Sequence, residues 1–232
     1  MWSIEYLYYM YKYFFVIVFW SLEILANEDF KIITIEEEQN KKQSVLKQKV
    51  KKVEFPLSDE DKKIISFMKG WLFKAGGVGL AATQINVSKK IALIYIPESA
   101  ALLRENIEIQ DMHAIINPEY RPAKTSKLVS DFEGCYSVKT VYGKVPRYDI
   151  IELSYQDEEG TQIQKQVSGF YARVLQHEID HLNGLLITDR LTPDCVQGSL
   201  QEMLELRRKE LPEHKRKHFD ELLKAKGIVL EN

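Results

Sequence analysis

The sequence predicts an α+β fold in which short, mostly antiparallel β-sheets pack around a central helix carrying an HExxH motif, with a further helix at the C-terminus. Three observations carry this. Gln176-His177-Glu178-Ile179-Asp180-His181 follows Phe170, Val174 and Leu175 and precedes Leu182, all at helical spacing. Ile150 to Tyr155 and Thr161 to Val167 read as strands joined by the turn Asp157-Glu158-Glu159-Gly160. Lys90 to Ile96 alternates too little to be half exposed and reads as a buried strand.

The 232 residues suit one domain of ordinary size with appendages, and a formal charge of -2 gives no global pull toward nucleic acid, so no direct DNA binding is expected. Two cysteines are too few for a disulfide framework, which favours a reducing compartment or a metal-ligand role for one of them. Residues 1–26 stand apart: five tyrosines between Tyr6 and Tyr13 lead into the apolar run Phe14 to Trp20. A membrane anchor or signal, an organelle-targeting leader and translation from a mis-assigned upstream start all remain open for this segment. Residues 27–191 form the expected folded domain and 192–232 a basic helical tail.

Along the domain, Phe30 to Ile35 reads as a short edge strand and Glu36 to Lys52 as a charged loop with an extended or weakly helical end. Ser58 caps a helix whose first turn holds Asp59, Glu60 and Asp61, with Ile64, Met68, Trp71 and Leu72 as its core stripe. That helix stops at Gly76-Gly77. Ala101 to Gln110 reads as an exposed loop or short helix, and Ala114 to Pro118 as a strand closed by a turn. In the tail, Met203, Leu204 and Leu206 mark one helix and Phe219, Leu222 and Leu223 another. The clusters Arg207-Arg208-Lys209 and Lys215-Arg216-Lys217 read as solvated helix faces.

Three segments carry chemistry. His177 and His181, four apart on a helix, point two imidazoles the same way, and Glu178 beside them is placed to take a proton from water at a bound metal. Two histidines lying on an ordinary helix face are the alternative; His214 and His218 repeat the spacing among cations and read that way. Cys135, in Glu133-Gly134-Cys135-Tyr136-Ser137, is either a third ligand for a borderline-soft metal or an ordinary buried thiol. In Gly77-Val78-Gly79-Leu80-Ala81-Ala82-Thr83-Gln84 the glycines permit close backbone approach, and Gln84 could meet negative charge developing on a carbonyl oxygen.

Together, and in this order, the three segments resemble the GxGLAAxQ, EGCxS and QHExDHLxG motifs of the peptide deformylase family, and the similarity runs from about Lys31 to Leu191. The resemblance implies removal of the formyl group from the N-terminal methionine of nascent peptides, with one Fe2+ or Zn2+ held by Cys135, His177 and His181. It implies Glu178 as general base and acid, and Gln84 with the backbone N–H of Tyr136 as the oxyanion hole. Glu133 would pair with Arg147 behind the ligands. Gly79 would bond the substrate backbone, and Val78, Phe170 and Val174 would line an apolar methionine pocket. It also implies a setting in the bacterial cytoplasm or a bacterially derived organelle, and a ribosome contact through the C-terminal helix. Tyr136, Thr83, Lys139 and Tyr142 depart from the family pattern. They leave room for a diverged paralogue with another substrate, or for a membrane-tethered binding module that keeps the metal.

Overall fold

The computed structural model describes residues 30–38, 44–104, 107–225 and 227–230. The segment 1–26 lies outside the described residues, and the architecture that follows belongs to the unit Ile32–Asn232. Among the described residues no helix is long and apolar enough to cross a membrane.

The first long helix, α1 (Asp59–Ala75), begins where the sequence places it. Ser58 accepts from the Asp61 amide while the Asp61 carboxylate accepts from the Ser58 amide, a closed capping box, and Gly76 ends the helix in the left-handed conformation. Ile64, Met68 and Leu72 are buried as expected, with Ile65 beside them. Trp71 is only half-buried, and its ring meets that of Tyr136 edge-on.

Strands β1 (Gly79–Ala81), β2 (Ile91–Ile96), β3 (Gln110–Pro122), β6 (Ile150–Gln156) and β7 (Gln162–Ser168) form a five-stranded antiparallel sheet in the order β1-β2-β3-β6-β7. Strands β4 (Leu128–Cys135), β5 (Val138–Tyr148) and β8 (Gln197–Gly198) form a second antiparallel sheet. The β6–β7 hairpin turns where the sequence predicts, with the Asp157 carboxylate accepting from the Glu159 and Thr161 amides.

The helix α2 (Gly169–Leu182) carries His177, Glu178 and His181. Gly169, at φ 63°, lets the chain turn from β7 straight into the helix. Tyr171, Leu175, Ile179 and Leu182 pack against Ile94, Ile96, Ile115, Ile151, Leu153 and Val167 of the five-stranded sheet. Each such buried side chain contributes about 1.5–3 kcal/mol of transfer free energy. Gln176 clasps β5, accepting from the Tyr148 amide at 3.0 Å and donating to its carbonyl at 2.8 Å.

Four expectations change. Residues 32–34 are not a strand and Ile35–Glu38 is a helical turn, because the Ile33 and Ile35 amides bond two different segments, at Gln84 and Ser137, and no ladder forms. Ala114 to Pro118 is not closed by a turn but lies inside β3. Asn117, at φ 53°, makes a bulge there, held by bonds from its side chain to Val53 and Gln156, and β3 passes from β2 to β6. The β4–β5 hairpin was not anticipated. The tail forms two helices, α3 (Leu200–Glu210) and α4 (Glu213–Ala225), with Met203, Phe219 and Leu223 buried. His214 and His218 are exposed as expected, but Arg207 and Arg216 are not solvated faces: Arg207 bonds Asp131 and the Leu103 carbonyl, and Arg216 bonds the Leu211 carbonyl.

Asp61 yields a pH prediction. Burial opposes its charge, but hydrogen bonds from Lys89 and Ser58 outweigh that and hold the carboxyl below its ordinary value. Its stabilisation is therefore complete at neutral pH and lost as pH falls through the lowered pKa. Thermal melts from pH 7 down to pH 3 should show a steeper acid decline for the wild type than for Asp61→Asn, and Ser58→Ala should cost about 1 kcal/mol at pH 7.

Candidate active site

A cleft of about 520 Å³ opens between the glycine-rich segment, the end of β4 and α2. Val78, Gly79, Gln84, Glu133, Cys135, Tyr136, Phe170, Val174, His177 and Glu178 all line it. His181 and Arg147 are buried, with 1% and 3% exposure. Arg104 and Arg173 line the cleft as well.

Cys135, at the last position of β4, and the two histidines of α2 bring one sulfur and two ring nitrogens within 4.8 Å of one another. Cys135 Sγ lies 3.2 Å from His181 Nε2, which lies 3.3 Å from His177 Nε2. Two nitrogens sharing a tetrahedral ion at about 2.0–2.1 Å stand roughly 3.3 Å apart, so the imidazole pair has the spacing such an ion requires. Thiolate plus imidazole is also the donor chemistry that a borderline-soft divalent metal selects. Gln84 Nε2 and the Ser137 amide donate to the same sulfur, at 3.7 and 3.4 Å. The Gln84 side-chain Oε1 accepts from the Ala81 backbone amide, which fixes the side-chain amide's orientation.

Glu133 joins the elements. Its carboxylate takes both Arg147 Nε and Nη2, at 2.8 and 2.9 Å, Arg173 Nη1 at 2.7 Å, and His177 Nδ1 at 2.9 Å. That last bond turns His177 Nε2 toward Cys135 and His181. Burial works against the Glu133 charge, yet Arg147 and His177 prevail and hold the carboxyl far below the usual carboxylate range. Arg147 also reaches Asp180 at 2.5 Å, and Asp180 takes Arg190 at 2.6 Å.

Glu178 is set apart from this network. Burial pushes its carboxyl up to about 7, against the pull of His177 and Arg147, and its Oε2 has no hydrogen-bond partner among the described atoms. Gly79 is required here by close approach: a Cβ on it would stand 2.3 Å from Glu178 Oε1.

Arg173, Asp180 and Arg190 were missed in the sequence. Asp180 did leave a signal: an acid between two candidate ligands, on a helix with apolar flanks, needs a buried cation as partner. Arg173 left a similar one within the apolar run before Gln176.

A sequence model described as polypeptide deformylase matches residues 31–197. The chain belongs to the polypeptide deformylase family. It is 40% identical over 167 residues to peptide deformylase 2 of Rickettsia conorii, covering 70% of this chain and 82% of that one. With a peptide deformylase of Ligilactobacillus salivarius it shares 34% identity over 163 residues, covering 64% and 86%. Among solved structures it is similar to a peptide deformylase from Synechococcus elongatus in complex with actinonin (TM-score 0.59, 30% identity, 88% of this chain and 91% of that one) and to that of Thermotoga maritima (TM-score 0.56, 29% identity, 72% and 100%). Family membership makes the chain a metal-dependent amide hydrolase, and the deformylase family acts on formylated nascent peptides.

Glu133→Gln should weaken metal binding roughly ten- to hundredfold, because it loosens the His177 ring, and should cost about 3–5 kcal/mol by leaving Arg147 and Arg173 under-compensated in the interior. Metal content after dialysis against a weak chelator, beside denaturant melts of the apoprotein, measures the two effects separately.

Proposed function

We propose that Cys135, His177 and His181 hold one Fe2+ or Zn2+ ion, and that α2, which carries the HExxH motif, is the element around which the active site is built. The observation that carries this is the convergence of the three donor atoms beside a buried carboxyl whose Oε2 has no hydrogen-bond partner among the described residues. A sulfur and two nitrogens suit either metal. When bound, the ion supplies a Lewis acid for the formyl carbonyl and makes water a nucleophile near neutral pH.

The chain's own residues do the rest. Glu178, buried beside the donor atoms with Oε2 free of partners among the described residues, takes a proton from the attacking water and returns it to the leaving amine. Gln84 Nε2 and the backbone N–H of Tyr136 donate to the oxygen on which charge develops, and because the Gln84 amide is already fixed by Ala81 it needs no reorganisation. Val78, Phe170 and Val174 receive the methionine side chain, and the backbone at Gly79 bonds the peptide. The products are formate and a free N-terminal amine. The relatives are bacterial proteins, which supports a bacterial cytoplasm or a bacterially derived organelle as the setting.

The test is formate release from formyl-Met-Ala-Ser by protein purified anaerobically with iron, run beside Glu178→Gln of confirmed metal content. The wild type should turn over, and the variant should lose about a hundredfold or more in kcat while binding its metal. A fully metallated wild type that released no formate would end this reading.

A further inference from the structure

The first helix of the tail reaches the substrate cleft. Leu200, at the start of α3, lines the cleft directly. Two turns on, Arg207 bonds Asp131 Oδ1 at 3.3 Å and donates to the Leu103 carbonyl at 3.1 Å, its guanidinium 5.2 Å over the Phe132 ring. The other Asp131 oxygen holds Arg104, which donates to the Phe132 carbonyl at 3.3 Å and lies 4.2 Å over the centre of the Phe170 ring. Phe170 and Arg104 both line the cleft. A continuous set of contacts therefore runs from α3 to the cleft wall, through one carboxylate shared by two guanidiniums.

The bridge is sheltered: the Arg104 and Arg207 side chains are 20% and 19% exposed. Charged hydrogen bonds out of bulk water are worth more than surface ion pairs, and a planar fork fixes direction as well as distance. Removing Arg207 takes a partner from Asp131 and a donor from the carbonyl next to Arg104 at once. Arg104 then keeps its charge and its own bonds to Asp131 and the Phe132 carbonyl, but the Asp131 carboxylate that aims it at Phe170 has lost its second guanidinium.

We infer that Arg207 is a positioning residue for substrate specificity: acting through Asp131 and Arg104, it fixes the Phe170 wall against which the first side chain of a formylated peptide packs. This rests on the deformylase reading. It distinguishes long first side chains, which reach the wall, from short ones, which do not.

The experiment uses the full-length metallated protein and Arg207→Met, with Arg207→Lys as a milder variant, on formyl-Met-Ala-Ser and formyl-Ala-Ala-Ser, together with the Kd for the product peptide Met-Ala-Ser. Arg207→Met should raise KM for the methionine substrate about five- to tenfold with kcat within about twofold, and weaken Met-Ala-Ser binding by a similar factor. It should leave kcat/KM for the alanine substrate unchanged. Arg207→Lys should recover part of the loss, since it keeps the charge without the fork. Equal losses on both substrates, or an unmoved KM and Kd for the methionine peptides, would overturn the inference. A wild type that releases no formate would sink the deformylase reading alone, because the Met-Ala-Ser Kd still reads the wall.

Discussion

The structure depends on one buried carboxylate. Glu133 sits where β4, β5 and α2 meet, and it holds two arginines and a histidine at once. A charge in that position is costly to desolvate, and the cost is offset only because every oxygen is directed at a cation or a ring N–H. The same bonds that make it tolerable also aim His177. Arg147 carries the arrangement onward to Asp180, between the two candidate ligands, and Asp180 to Arg190. The second sheet, the helix and the candidate metal donors are thereby coupled, so a change at Glu133 should act on folding and on metal binding together.

Glu178 shows the opposite use of burial. One residue from His177, it leaves Oε2 without a hydrogen-bond partner among the described residues, and desolvation raises its carboxyl to about 7 where Glu133 is driven down. Two carboxylates in one cleft thus meet two environments, one a fixed anion held by cations and the other suited to the proposed role of proton carrier. The absence of a side chain at Gly79 makes room for the second.

Much of this was legible in the sequence because it is encoded locally. The Ser58 cap, the Asp157 turn and the helical spacing around His177 each depend on residues within a few positions of one another. The β4–β5 hairpin was not legible. Its strand from Leu128 to Cys135 carries Ser130, Asp131 and Glu133 through a run with no clean alternation, because Asp131 and Glu133 serve distant arginines rather than a polar face. Asn117-Pro118 looked like a turn because the same residue types serve turns and bulges, and only the partners Val53 and Gln156 distinguish the two. Arg207 looked like a solvated cation for a related reason, since the carboxylate it meets lies 76 positions away in the chain. The candidate donors stand within motifs, whereas the supports that aim them are long-range ion pairs, which periodicity does not record.

One thiolate and two imidazoles, with His177 aimed by Glu133, are proposed to hold a single ion. Anaerobic titration of the apoprotein with Co2+, followed by absorption, tests it most directly, since a sulfur ligand adds a thiolate-to-metal charge-transfer band to the spectrum of the bound ion. The wild type should saturate at one equivalent with that band present, and Cys135→Ser should lack it. Tight binding without the band, or a band that survives the loss of Cys135, would contradict it.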